Sequence, residues 1–166
     1  MAEFDPVAVL RVLVQHRVDF IVVGGVAARL RGAPLLTQDI DITPAMDAAN
    51  LQRLADALVE LRARLRTPAQ PTGVTFPIEA RFLESASMWT LTTRYGDLDL
   101  VMTPSGTNGY LDLVRDAGAL TVAVRPKLSV TVASLADVIR SKEAAGRDKD
   151  RAALPLLRRT LEESGR

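Results

Sequence analysis

The stretch between Phe20 and Thr43 limits the possible folds more than any other part of the chain. An apolar run, Phe20-Ile21-Val22-Val23, stops at Gly24-Gly25, a short helical pattern follows over 26–31, and Gly32 and Pro34 end it. The chain then returns as Thr37-Gln38-Asp39-Ile40-Asp41-Ile42. Residues two apart on a strand share a face, so Asp39 and Asp41 project to one side while Ile40 and Ile42 project to the other. The Cβ atoms of the two aspartates then lie about 6.5 Å apart, two strand rises. Carboxylates that close repel each other, and a strand that serves only structure has little reason to align them beside a glycine-pair turn. A pair of divalent cations supplies the reason.

A second Asp-bearing strand lies downstream. Segments 88–93 and 96–102 read as a hairpin joined near Arg94-Tyr95-Gly96. In its second strand Leu98, Leu100 and Met102 take one face and Asp97 and Asp99 the other, so Leu98-Asp99-Leu100 repeats the pattern of Ile40-Asp41-Ile42. If the two strands are neighbours, Asp99 joins Asp39 and Asp41 on one surface.

Helices fill most of the remainder. Asp5-Pro6 reads as a cap and first helical residue, and Phe4 and Val9 have the spacing of a hydrophobic staple. His16 reads as a surface residue at that helix's end. Asp47 caps a helix whose apolar stripe comprises Leu51, Leu54, Leu58, Leu61 and Leu65. Segment 67–77, with three prolines and a glycine, reads as an irregular loop, either a substrate lid or a surface excursion. A helix is expected over 109–117 and strands over 120–124 and 128–132. Ser134 opens a helix to about Ala145 that Gly146 closes. The last helix runs over 148–163, with Pro155 either kinking it or marking its true start.

Composition narrows the chemistry. The 166-residue chain suits one compact domain, expected as a core over about 1–132 with a helical element over 133–166. It has no cysteine and one histidine, which excludes disulfides, thiolate metal sites and cysteine nucleophiles and makes a histidine-centred site improbable. No apolar run is long enough for a membrane helix, and no signal-like segment is evident at the N-terminus, so the expected location is cytoplasmic and away from membranes. Residues 140–166 carry eight Lys or Arg against five Asp or Glu, a mildly basic segment compatible with phosphate contacts.

Oxygen-only ligands select hard cations such as Mg²⁺ or Mn²⁺. Two such ions about 4 Å apart clamp an in-line phosphoryl displacement. Gly24-Gly25 lets a triphosphate approach the backbone, and no Walker sequence is present. Each piece alone has a plainer reading: a tight turn, a solvated strand face, an acid-flanked sheet edge.

Together these residues resemble the polymerase-β-like nucleotidyltransferases, whose signature is a glycine pair or Gly-Ser, then Asp-x-Asp, then a third carboxylate on a later strand. The matching positions are Gly24-Gly25, Asp39-x-Asp41 and Asp99, with Gly25 standing where serine is common. The resemblance implies an α/β fold, a small mixed sheet flanked by helices, with Asp39, Asp41 and Asp99 as metal ligands and Gly24, Gly25 and Thr37 along the nucleotide-phosphate path. In some relatives a partner phosphorylates a hydroxyl near the position of Thr37. The run Ser141-Lys142-Glu143-Ala144-Ala145-Gly146-Arg147-Asp148-Lys149-Asp150 is similar to an element of the AbiEii-like nucleotidyltransferases, a group containing many toxins of toxin–antitoxin systems. That likeness implies Lys142 as a phosphate ligand, Asp150 as a later active-site acid, and Arg147 and Lys149 as supporting charges. A plainer reading of the run is a helix–turn–helix with solvated charges.

The function so implied is Mg²⁺-dependent transfer of a nucleoside monophosphate from an NTP to a hydroxyl at the 3′ end of tRNA, by a toxin held in check by a cognate antitoxin protein. Two alternatives remain open from sequence: an antibiotic-modifying enzyme of the same chemistry, and an idle fold that only binds a partner. Base selectivity and oligomeric state are not written in these motifs.

Overall fold

The computed structural model describes residues 3–165. Its centre is a seven-stranded mixed sheet in the order β3-β4-β5-β2-β1-β7-β6. Helix α1 (Pro6–Gln15) starts as the sequence predicts: the Asp5 carboxylate accepts the Ala8 N–H at 3.0 Å, with proline in the first turn. Strand β1 (Phe20–Val23) is buried along its whole length, and α2 (Gly24–Leu30) begins at its end with no connecting loop. Strand β2 (Asp39–Pro44) returns antiparallel to β1, with Val23 opposite Asp41.

Helix α3 (Ala48–Glu60) is capped by Asp47 and buries Leu51, Leu54 and Leu58. It is shorter than its leucine spacing implies. The chain leaves the helix at Leu61, Arg62 takes a left-handed φ of 54°, and Leu65 belongs to the short strand β3 (Arg64–Leu65). The leucine rhythm continues across the break because both segments face the same core.

Segment 67–77 is an excursion fastened to the sheet edge, with Val74 bridged to Leu65 and the Gly73 carbonyl accepting two bonds from Arg64. The single-turn helix α4 (Ala80–Glu84) precedes the hairpin of β4 (Met88–Thr93) and β5 (Gly96–Val101). Phe76, Phe82 and Trp89 cluster there, with ring centroids 4.9–6.3 Å apart.

The helix expected over 109–117 is only α5 (Tyr110–Leu113). Leu113 is its single buried residue while Leu111 and Val114 are exposed, so little burial offsets the cost of a longer helix. Strands β6 (Gly118–Val124) and β7 (Lys127–Val132) pair antiparallel, and β7 docks parallel to β1. Helix α6 (Leu135–Ala145) is capped by Ser134 and ends at Gly146, which takes φ 62°. Helix α7 (Asp148–Ser164) runs through Pro155. Pro155 is exposed, so water can serve the carbonyl that its missing N–H leaves free.

Four fully buried residues, Ile40, Ile42, Leu98 and Leu100, line the core face of β2 and β5. No helix among the described residues is long and apolar enough to cross a membrane. His16 pairs with Glu60 at 3.2 Å, joining the ends of α1 and α3.

Asn50 is the main polar tie inside this core. Its side chain accepts the Asp19 N–H at 2.7 Å and donates to the carbonyls of Asp19 and Ala45 at 2.9 and 2.7 Å. Stranding one buried polar group costs about 1–3 kcal/mol, so Asn50→Ala should lower the unfolding free energy by about 3 kcal/mol in urea titrations. A loss within experimental scatter would mean that the chain relaxes around this tie.

Candidate active site

The site rests on strand register. Strands β2 and β5 are parallel neighbours with Asp39 opposite Asp97 and Asp41 opposite Asp99. Because the apolar residues between them are buried, all four carboxyls emerge on the opposite face. One oxygen from each of Asp39, Asp41 and Asp99 lies within 4.8 Å of the other two. The structure thus brings together the three acids that the sequence singles out.

Burial pushes the Asp41 carboxyl up to about 7, with the charges of Asp39 and Asp99 adding to the rise and those of Lys142 and Lys149 opposing it. Burial also pushes Asp99 up to about 6, with Arg66 opposing and Asp39 adding. This is a crowded anionic site with too little positive charge. An all-carboxylate donor set at this spacing fits a hard divalent cation, and a cation there would relieve the repulsion.

Gly24 is required by its neighbour. It takes φ 65°, and a Cβ at its position would lie 2.2 Å from Asp41 Oδ2. Gly25 is different: a Cβ there would meet Thr37 Oγ1 at 3.4 Å, an ordinary contact, so the serine common at this position would fit sterically. Thr37 lies outside β2 and donates its hydroxyl to the Asp39 carbonyl at 2.8 Å, fixing the entry to the strand.

The C-terminal hairpin brings the cations. Lys142 on α6 and Asp150 on α7 converge across the Gly146 turn, with Nζ 3.4 Å from Oδ1. Asp150 is wholly buried. Arg147 donates to it three times, from Nε at 2.7 Å and from its backbone N–H and second guanidinium nitrogen at 3.2 Å each. Burial pushes the Asp150 carboxyl up, but its bonds and charge pairing with Arg147, helped by Lys142, outweigh this and hold it below the usual carboxylate range. Asp150, expected as a later active-site acid, is not among the clustered acids; both its oxygens are occupied in holding Lys142 and Arg147. Lys142 is itself largely buried, with 18% of its side chain exposed, and is not a freely solvated surface lysine.

Sequence reasoning misses Arg66. It extends from the residue after β3 across the polar face, meeting Asp97 at 2.8 Å, Asp99 at 3.1 Å and the Leu91 carbonyl at 3.1 Å. The only sequence signal is the alternation Arg62, Arg64, Arg66, which the leucine spacing of the preceding helix hides.

The sequence matches no family profile and no curated protein. Among solved structures, the lincosamide antibiotic adenylyltransferase LnuA, determined with lincomycin bound, superposes with a TM-score of 0.60. The match covers 92% of this chain and 94% of that one at 14% sequence identity. The chain therefore has a nucleotidyltransferase fold.

The raised carboxyls fix the sign of a pH effect. Asp41 ordinarily titrates near 3.8 and, when folded, near 7, so its contribution to stability is fully present below about pH 4 and is lost as pH rises through about 7. Metal-free protein should therefore lose thermal stability between these limits, and Asp41→Asn should flatten the decline. Identical, level Tm profiles for both proteins would remove the penalty of charging buried Asp41 from the account.

The two glycines should separate cleanly. Gly24→Ala should lower both Tm and divalent-cation affinity, measured by calorimetry, because Asp41 must move. Gly25→Ser should leave the cation affinity within about threefold of wild type, as expected where a small side chain meets only ordinary contacts. Equal damage from both would mean that the turn, not its proximity to Asp41, is what matters.

Proposed function

We propose that the chain is a metal-dependent nucleotidyltransferase, which moves a nucleoside monophosphate from an NTP to a hydroxyl and releases pyrophosphate. The observation that carries this reading is the meeting of three carboxylates, within 4.8 Å of one another, with the charges of Lys142 and Lys149 acting on Asp41. Asp39, Asp41 and Asp99 would hold Mg²⁺ or Mn²⁺. Such a cation supplies charge neutralisation and acidifies a bound hydroxyl.

The protein's own residues account for the rest. The acceptor oxygen bonds to the α-phosphorus as the bond from that phosphorus to the pyrophosphate oxygen breaks. The hydroxyl proton passes to Asp99, whose Oδ1 is already held by Arg66. Lys142 offsets the charge that gathers on the leaving pyrophosphate, a contribution larger in the transition state than in the ground state. Asp150 and Arg147 position Lys142, and Lys149 adds to the positive field. Gly24 keeps a side chain out of the space beside Asp41, and Gly25 leaves the backbone beside Thr37 uncovered.

Two acceptors have separate support. Likeness to a lincosamide adenylyltransferase supports a small-molecule hydroxyl. The resemblance of segment 141–150 to the AbiEii-like group supports the 3′ end of tRNA, with the chain acting in the cytoplasm as a toxin that a cognate antitoxin opposes. Incubation with each labelled NTP, Mg²⁺ and either total bacterial RNA or a panel of hydroxyl-bearing antibiotics identifies the species that carries label.

Asp41→Asn should abolish transfer while the circular dichroism spectrum stays that of the wild type. Lys142→Ala should lower kcat by roughly 10²–10³ with a smaller rise in KM for NTP. The rate must be taken per folded molecule, because losing the partner of buried Asp150 also costs stability. Wild-type turnover by Asp41→Asn at saturating Mg²⁺ would falsify the metal-site assignment.

A further inference from the structure

At the β3 edge of the sheet, Arg62, Arg64, Pro71, Thr72, Thr92, Thr93 and Arg94 enclose a pocket of roughly 210 Å³. Its lining contains three arginines and no carboxylate. Among the described residues none of the three makes a salt bridge, whereas Arg66 pairs with Asp97 and Asp99 and Lys142 with Asp150. Arg64 spends two donors on the Gly73 carbonyl, and Arg94 lies 5.2 Å from the Tyr95 ring centroid. The Arg62 side chain is exposed, and among the described residues Arg62 bonds only through its backbone N–H, to the Val59 carbonyl. Three like charges around one small concavity repel one another, in a protein whose net charge is only +1. Their joint presence is explained by an anion.

Two of the pocket's lining residues, Arg64 and Thr92, lie on the same face of the sheet as the triad. Arg64 pairs with Thr92, Thr92 with Asp97, and Asp97 with Asp39, so all four side chains lie in one row across β3, β4, β5 and β2. Three strand spacings separate the ends of that row, about 14 Å. Asp97, the acid between them, shares Arg66 with Asp99, pairing with it at 2.8 Å. Gly73, where a Cβ would lie 2.9 Å from Thr92 Cγ2, and the Arg66 side chain cover the middle of that row, so a molecule whose hydroxyl reaches Asp99 would pass over them to set a negative group among the arginines. Guanidinium groups match the oxygens of phosphate in bidentate fashion.

We infer that this pocket is the subsite for a phosphate of the acceptor, so that the protein modifies an anionic, phosphate-bearing molecule. The inference rests on the nucleotidyltransferase reading and narrows its substrate class. A nucleic-acid strand and a small phosphorylated metabolite present the same group.

The test uses the full chain, its Arg62→Ala/Arg64→Ala/Arg94→Ala variant, and the single Arg62→Glu change, which removes no hydrogen bond and leaves folding intact. Three probes are compared by fluorescence anisotropy or competition: a dye-labelled single-stranded RNA with a free 3′ hydroxyl, ribose 5-phosphate, and a fluorescent NTP analogue with Mn²⁺. Wild type should bind the RNA. The triple variant should lose at least about tenfold in affinity, its salt slope falling by about one or more, and Arg62→Glu should weaken binding in the same direction. Binding of the NTP analogue should be equal in all three proteins. Loss of ribose 5-phosphate binding alone, with RNA never bound, supports the subsite with a small phosphorylated acceptor. The inference is overturned if wild type binds neither phosphate probe, or if the variants bind both as wild type does. Failure of the NTP analogue to bind wild type, with the RNA arm behaving as expected, removes the nucleotidyltransferase reading and leaves the anion site standing.

Discussion

Burial of Ile40, Ile42, Leu98 and Leu100 is the interaction on which the active face depends. All four are inaccessible to solvent, and together they contribute about 6–12 kcal/mol at 1.5–3 kcal/mol for each fully buried side chain. Slipping either strand by one residue would turn its own two outward. The same register that keeps them inside sets Asp41 beside Asp99. The opposing cost is visible in the Asp41 carboxyl, pushed from 3.8 to about 7, on the order of 4 kcal/mol at about 1.4 kcal/mol per pH unit. Apolar burial wins, so the fold can hold three mutually repelling acids in place before any cation arrives.

The C-terminal hairpin solves a second problem, which is to carry a lysine to these acids on an element distant in sequence. Its pivot is a buried charge. Asp150 is wholly inaccessible and would be costly alone, but Arg147 and Lys142 satisfy both of its oxygens. The arrangement ties α6 to the start of α7 across the Gly146 turn. Arg31, at the end of α2, donates to the carbonyls of Val132 and Ala133 at 2.8 and 3.1 Å, tying the glycine-turn helix to the start of this hairpin.

The polar face continues past the acids to the sheet edge. Arg66 closes one side of the triad by bridging Asp97 and Asp99, and beyond it the sheet edge is positive at Arg62, Arg64 and Arg94. The excursion over 67–77 belongs to this region. Gly73 packs so closely that a Cβ would lie 2.6 Å from that of Arg64, which holds the loop against β3.

Much of the fold was legible locally. Gly24-Gly25, the Asp-x-Asp alternation, the caps at Asp5, Asp47 and Ser134, and the left-handed Gly146 each express a rule that acts within a few residues. The three caps fall where expected, while α2 starts at Gly24, two residues before the expected 26, and β2 starts at Asp39 rather than Thr37. The errors arose where local and distant packing give one signal. Leu65 keeps the leucine rhythm of α3 yet sits on a strand, and segment 109–117 holds a single helical turn because only Leu113 finds a core. By itself the sequence determined which residues could share a strand face and where each helix could begin or stop, since those follow from backbone geometry and side-chain periodicity. Only the tertiary structure decided that β2 lies parallel to β5 in the register that joins Asp99 to Asp41, that Asp150 serves as a buried anchor, that Arg66 and Arg64 share the acids' face, and that Arg62 and Arg94 meet Arg64 at one pocket. Each of those depends on which distant apolar surfaces are buried together, and no local rule records that.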